Sequence, residues 1–212
     1  MNIKTFVFNP FYENTYVISS QAGNCLIFDP GCYEDFERKE LIDFVELEGL
    51  KVKAIINTHC HIDHVLGNDY LRDKYSVPLK IPKYEKEVYE AIPVIAPQWG
   101  ITGYHQAEVD EFLEEGNVIS LDEIELEMIE VAGHSPGHLI FYCKEDREVI
   151  GGDVLFRESI GRTDLPGGNH DALLSNIQQK VYTLPEDVTV YPGHGPSTTI
   201  GHEKMHNPFV KG

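Results

Sequence analysis

Paired cysteines, basic residues and long apolar runs are all scarce in this chain, and each shortage closes off a class of protein. The four cysteines, Cys25, Cys32, Cys60 and Cys143, show no Cys-x-x-Cys spacing. With no secretion signal at the start, they are expected to be reduced thiols in a cytoplasmic protein. Lys and Arg number 17 against 35 Asp and Glu, a formal charge of -18. A nucleic-acid partner is therefore disfavoured, because phosphates would be repelled at long range. No stretch is apolar for long enough to span a bilayer, so no membrane partner is expected. No repeat, low-complexity tract or Pro/Gly/Ser linker divides the 212 residues, and the 42% apolar content can fill one core, so a single domain over residues 1–212 is the economical reading.

What the chain has in excess is metal-binding side chains in one place. The segment Thr58-His59-Cys60-His61-Ile62-Asp63-His64 puts three imidazoles and a carboxylate within six residues, more than core packing requires. It follows Ala54-Ile55-Ile56-Asn57, a short apolar run that reads as a buried strand. Residues two apart in an extended segment project to the same side, so His59 and His61 can converge on one ion while Cys60 points into the fold as a packing residue. If a helix opens near Asp63, then Asp63 and His64 turn toward a second ion, and Asp63 suits the positive end of that helix. Bound divalent ions would reverse the local field, so an anionic small molecule remains compatible with the acidic bulk.

The remainder reads as mixed α and β. Ile3 to Phe8, Thr15 to Ser19 and Asn24 to Phe28 are β-rich segments separated by turn residues. Glu34 to Glu48 has the spacing of an amphipathic helix ended by Gly49. A second helix is expected from about Asp63 to Tyr75, and a third opened by Pro82 and running through Ala91. Ile92 to Asp110 has no period and reads as a long loop, whose Trp99 and Tyr104 either line a substrate mouth or pack the loop onto the core. Strand patterns resume at Val118 to Leu121, Ile124 to Val131, His138 to Cys143 and Glu148 to Gly152. A helix over Asp171 to Val181 and a last buried strand over Val188 to Tyr191 follow. Further metal-binding types fall just beyond strand ends, in Gly133-His134-Ser135-Pro136-Gly137-His138, Gly152-Asp153 and Pro192-Gly193-His194-Gly195, where loops on a rigid sheet usually place chemistry.

The His-x-His-x-Asp-His block, with the later His, Asp and His, resembles the metallo-β-lactamase superfamily of hydrolases from Asp29-Pro30-Gly31 to His194. The resemblance implies a four-layer αββα sandwich, two mixed sheets flanked by helices. It implies that His59, His61 and His134 bind a first metal, that Asp63, His64 and His194 bind a second, and that Asp153 bridges them. Within the superfamily, the run Ser159-Ile160-Gly161-Arg162-Thr163-Asp164-Leu165-Pro166-Gly167-Gly168 and the tail Asn207-Pro208-Phe209 are similar to short, single-domain glyoxalase II-like enzymes, classed as hydroxyacylglutathione hydrolases. Full-length glyoxalase II proteins add a helical C-terminal domain that grips glutathione, for which 212 residues leave no room. They also carry a Tyr two residues after the last metal-binding His, where this chain has Pro196.

The implied activity is hydrolysis of a small-molecule thioester, such as S-lactoylglutathione or a related hydroxyacyl thioester, by a hydroxide bridging two divalent ions. Zinc is the first candidate, with iron or manganese as alternatives for mixed His and carboxylate ligands. Asp63 would orient the hydroxide while ligating. Arg162 is a candidate for pairing with a substrate carboxylate, its competing role being a salt bridge to Asp164 that shapes the loop. Asp29, after the strand Leu26-Ile27-Phe28, fits an acceptor that orients a metal-bound histidine, or a turn residue of Asp-Pro-Gly. His138 is expected to be structural, and His105, His170, His202 and His206 lack a motif. Rival activities on the same scaffold are a mononuclear-iron persulfide dioxygenase, a lactonase or phosphodiesterase, and a non-catalytic diiron electron-transfer module.

Overall fold

A computed structural model describes residues 1–212. The chain separates into two compact units, Met1–Leu113 with Leu121–Ile124, and Glu114–Ser120 with Glu125–Gly212. The first is built on a six-stranded mixed sheet: β1 (Asn2–Phe8), β2 (Glu13–Ser19), β3 (Asn24–Phe28), β4 (Lys51–Ile56), β5 (Leu79–Pro82) and β6 (Glu111–Leu113), in that spatial order. The β1–β2 and β2–β3 pairs are antiparallel, whereas β3–β4, β4–β5 and β5–β6 are parallel. Leu26-Ile27-Phe28 and Ala54-Ile55-Ile56 are continuous apolar runs, all at most 3% exposed, because central parallel strands are covered on both faces.

The helices of this unit are α1 (Asp35–Leu47), α2 (Ile62–Val65), α3 (Asn68–Tyr75) and α4 (Lys86–Ile95). α1 buries Leu41, Ile42 and Val45. The single helix expected from Asp63 to Tyr75 is broken at Gly67, whose N–H donates to the Pro30 carbonyl at 2.7 Å instead of continuing the helix ladder. A β-carbon at Gly67 would lie 2.5 Å from Cys32 Sγ, so only glycine permits this close approach. The helix also opens at Ile62, with His61 rather than Asp63 in the cap position.

Pro82 opens the helical segment as expected, capping a 3-10 turn at Lys83–Glu85 that runs directly into α4, and it also ends β5, a strand missing from the sequence-based expectation. α4 runs on through Pro93 to Ile95. The buried Ile92 and Ala96 anchor the chain on both sides of the proline and outweigh its lost hydrogen bond. The long loop expected from Ile92 to Asp110 is therefore shorter. Tyr104 packs against the core, whereas Trp99, in a 3-10 turn over Ala96–Trp99, is 47% exposed with its ring edge-on to Phe11 at 5.9 Å.

The second unit has a mixed sheet of β7 (Val118–Leu121), β8 (Ile124–Glu130), β9 (Leu139–Cys143), β10 (Glu148–Gly152), β13 (Thr189–Pro192) and β14 (Thr198–Thr199), ordered β14-β13-β10-β9-β8-β7. β10 and β13 are parallel neighbours. Between them lie the small hairpin of β11 (Leu155–Phe156) and β12 (Ser159–Ile160) and the helix α5 (His170–Asn176), which continues as a π-helical turn to Val181. Asn169 caps α5 by accepting the Ala172 N–H at 3.0 Å. Thr199 does the same for α6 (Ile200–His206) through the His202 N–H. α6, the hairpin, β6 and β14 are too short for a periodicity to register. No helix is long and apolar enough to cross a membrane.

All four cysteines are free and at most 1% exposed. Burial pushes the Cys25 and Cys32 thiols up to about 12, and Cys60, in the core of the first unit, is raised as well. Thiolate is the reactive form. Ellman's reagent is therefore expected to titrate no thiol of the native protein within minutes and all four in guanidinium. Fast modification of any native thiol would contradict this packing.

Candidate metal centre

In the first unit, the ligand segment starts where β4 ends and lies beside the end of its parallel neighbour β3. Adjacent parallel strands finish at the same edge, which places side chains from successive loops together. The Asp29 N–H donates to the Ile56 carbonyl at 2.9 Å, so Asp29 stands beside Asn57 and Thr58. Its carboxylate accepts the Thr58 N–H and hydroxyl, each at 2.7 Å. Its Oδ2 also lies 3.2 Å from Nδ1 of the fully buried His64. That leaves His64 Nε2 on the side of Asp63, 3.7 Å from Asp63 Oδ2. Asp29 thus lies against the ring of the buried His64, and it takes a left-handed backbone conformation (φ 46°) at the same time.

His59 and His61 come together as the alternation of an extended segment requires, with ring centroids 4.8 Å apart and planes at 88°. The His59 Nδ1 is held 3.0 Å from the Thr58 hydroxyl, and its ring lies 4.1 Å from that of His64. Donor atoms of Asp29, His59 and His64 cluster within 4.8 Å of one another. The Asn57 side chain donates to the His64 carbonyl at 2.8 Å, and the Asn9 side chain donates to the Asp63 carbonyl at 2.9 Å. Both ends of the segment are therefore tied to other parts of the unit.

The second unit repeats the arrangement. Asp153 follows β10 and His194 follows its parallel neighbour β13, and the Gly193 N–H donates to the Gly152 carbonyl at 2.8 Å. His194 Nε2 lies 3.6 Å from Asp153 Oδ2, and His134 Nε2 lies 3.5 Å from the same oxygen. His134 comes from the loop after β8, closed by the Val131 N–H donating to the His138 carbonyl. Its Nδ1 is 2.7 Å from the Arg162 carbonyl. A carbonyl only accepts, so His134 carries a proton on Nδ1 and turns Nε2 toward Asp153. A β-carbon at Gly161 would lie 1.9 Å from the Asp153 carbonyl oxygen and 3.0 Å from His134 Nδ1. Glycine there lets the chain lie directly on two candidate ligands.

The donor set fits divalent cations. Imidazoles with one nitrogen committed to a carboxylate, hydroxyl or carbonyl, next to partly exposed carboxylates, are the arrangement that orients ligands around such ions. Cys60 lies between two candidate ligands but is not one of them, being buried in the core with its thiol held protonated by burial and by the Glu85 and Asp29 carboxylates. The Arg162 side chain points elsewhere than its carbonyl. Its Nε and Nη2 donate to the two oxygens of Asp164 at 2.7 and 2.8 Å. That pairing holds the exposed Asp164 carboxyl down at about 2. Both roles weighed for Arg162 stay chemically open, because an exposed pair contributes little and can be exchanged for a substrate anion.

Sequence reasoning missed several supporting residues. Glu13 and Glu85 are both fully buried, yet each stands in a polar stretch that reads as surface. Glu13 Oε1 sits 4.0 Å from His64 Nδ1, and burial raises its carboxyl well above the usual range. His138, expected to be structural, accepts the Asp153 N–H through Nε2 at 2.9 Å. Its position four residues after His134 was the one available signal.

Comparison with known proteins agrees with these features. A family model described as the metallo-beta-lactamase superfamily matches residues 8–194. The hydroxyacylglutathione hydrolase GloC of Haemophilus influenzae is 35% identical over 212 residues, covering 99% of this chain and 98% of that protein. The crystal structure of BLEG-1 B3 metallo-beta-lactamase superposes with a TM-score of 0.91 at 35% identity over all of both chains. That of TTHA1623 in a di-iron-bound form gives 0.87 at 34% identity over 98% of this chain and all of that one. The mixed sheets flanked by helices are accordingly the metallo-β-lactamase fold, and the chain belongs to the metallo-β-lactamase superfamily of metal-dependent hydrolases.

Proposed function

We propose that this chain is a dinuclear thioester hydrolase acting on a hydroxyacyl thioester of the S-lactoylglutathione type. The observation that carries the reading is the pre-orientation of two ligand sets, each at the ends of adjacent parallel strands. In this reading His59, His61 and His134 hold one divalent ion, Asp63, His64 and His194 hold a second, and Asp153 serves both. The assignment follows the ligand pattern of the superfamily, whose match spans both sets. Bound there, the ions would supply Lewis acidity that brings the pKa of water near neutrality.

The chain's own residues do the rest. Asp63, with a side chain 13% exposed, accepts a hydrogen bond from the attacking water and aims it at the thioester carbon. As the C–S bond breaks, the products are a carboxylic acid and a thiol, and no Ser or Cys nucleophile is needed. Asp29 and the Arg162 carbonyl keep His64 and His134 in single orientations throughout. The Arg162 guanidinium exchanges Asp164 for a carboxylate of the substrate. Support for a thioester comes from the whole-length likeness to GloC and from the Ser159 to Gly168 run. Zinc is the first choice of metal, and iron is favoured as the alternative by the likeness to the di-iron form of TTHA1623. One rival has its own support: the likeness to BLEG-1, equally complete, favours β-lactam hydrolysis.

Initial rates with S-lactoylglutathione, a cephalosporin, a homoserine lactone and bis-nitrophenyl phosphate separate these readings. The thioester is expected to have the highest kcat/KM, and a cephalosporin turned over faster would transfer the assignment. Oxygen uptake with glutathione persulfide by protein holding one iron per chain would replace hydrolysis by dioxygenation. Substitutions His61→Ala and Asp153→Ala are each expected to abolish thioester turnover. Arg162→Ala is expected to raise KM by roughly 10- to 100-fold with kcat nearly unchanged, since it removes a charged hydrogen bond made equally in ground and transition states. An equal fall in kcat would refute that role.

A further inference from the structure

A second buried acid grips the histidine segment from the side opposite Asp29. Glu85 lies in the 3-10 turn that follows β5, and β5 is the parallel neighbour of β4, with Ile56 opposite Lys80. The end of β5 therefore delivers Glu85 to the loop that leaves β4. Its side chain is fully buried, and its Oε2 accepts the Cys60 N–H at 2.9 Å. Cys60 is the one residue between His59 and His61. Its amide belongs to the peptide plane that begins at the His59 carbonyl carbon, so fixing that N–H restrains ψ of His59 and φ of Cys60 together. Those two torsions are half of the four backbone torsions that relate the two histidine side chains, so holding them narrows the angles the paired imidazoles can take.

Burying a carboxylate carries a cost that hydrogen bonds such as the one from the Cys60 amide offset. Removing an acid from water without compensation is strongly unfavourable, and an apolar side chain would fill the same volume without the penalty. Hydrogen bonds from a backbone amide to a carboxylate are among the stronger ones. We propose that Glu85 is a positioning residue for the metal-binding histidine pair, acting through the Cys60 amide. This inference needs only that His59 and His61 bind metal and is independent of the substrate.

Two conservative variants separate hydrogen bonding from charge. Glu85→Asp keeps the charge but falls one methylene short of the Cys60 amide. Glu85→Gln keeps an acceptor of the right length and loses the charge. Zinc affinity is measured by competition with a chromophoric chelator, alongside the visible spectrum of the cobalt-substituted protein and the melting temperature of metal-free protein. Glu85→Asp is expected to weaken zinc binding roughly 10- to 100-fold, the range seen when a ligand's supporting partner is lost, and to alter the cobalt spectrum. Glu85→Gln is expected to stay within about threefold of wild type, a difference well under one charged hydrogen bond.

Wild-type affinity and spectrum in Glu85→Asp would overturn the proposal, and so would a loss in Glu85→Gln as large as in Glu85→Asp. A fall in metal-free stability with zinc affinity unchanged would assign Glu85 to packing and overturn it too. If Glu85→Asp does not fold, Glu85→Gln decides alone, retained affinity supporting the proposal and lost affinity refuting it. His61→Ala, measured in parallel, reports separately on whether the histidine pair is a ligand set at all.

Discussion

A partner on the second nitrogen of an imidazole fixes the ring so that its other lone pair points one way, and three candidate ligands of this structure have Nδ1 set against a neighbouring oxygen. His134 gives its Nδ1 proton to the Arg162 carbonyl, His64 turns Nδ1 to Asp29, and His59 Nδ1 lies against the Thr58 hydroxyl. None of these partners is itself a candidate ligand in the superfamily pattern. For His134 and His59 a hydrogen bond holds the ring before any cation arrives, which lowers the entropic cost of assembling the site, and His64 is held by its close approach to the Asp29 carboxylate. Fully buried polar residues occur along this segment, at Asn57, Thr58, His59 and His64, and others from elsewhere in the unit, among them Glu13, Asp29 and Glu85, are buried as well.

The strands make these partners available. In each unit two neighbouring parallel strands end together, β3 with β4 and β10 with β13, and a backbone hydrogen bond ties the two following loops. The candidate ligands then stand on loops only a few residues long, held by strands whose ends nearest those loops are largely buried. The packing this demands shows at Gly67 and Gly161, where a single β-carbon would collide with the neighbouring loop. Gly161 accounts physically for part of the Ser159 to Gly168 run. It lets the following carbonyl reach His134, so the motif serves ligand geometry whatever the Arg162 side chain does.

Much of this was legible in the residues themselves. The alternation of His59, Cys60 and His61 foretold a converging pair with a buried thiol between them. The apolar runs before Asp29 and Asn57 foretold central strands, and Asp29 stands beside His64 at the end of the first of them. Less legible was anything that depends on a partner distant in sequence. Glu13 and Glu85 look like surface residues, because burial of an acid is decided by the amide or hydroxyl it meets and not by its neighbours in the chain. Pro82 reads locally as the helix opener it is, whereas the strand it ends is set by pairing of Leu79 and Ile81 with the strands on either side, which has no local signature. The helix expected from Asp63 to Tyr75 broke because Gly67 had a better acceptor in Pro30, a tertiary hydrogen bond with no local signature.

The chain is a metallohydrolase of its superfamily, with histidines gathered at the strand ends and all four cysteines buried. Its acidic surface is no obstacle, since cations at the site would govern the local field that a substrate anion meets. The central claim is that the two ligand sets hold two ions. Elemental analysis of protein purified without added metal and then saturated with zinc tests it most directly. The account predicts two metal atoms per chain, with Asp153→Ala losing at least one. A wild-type protein that saturates at one atom per chain, with His64→Ala unchanged, would contradict it.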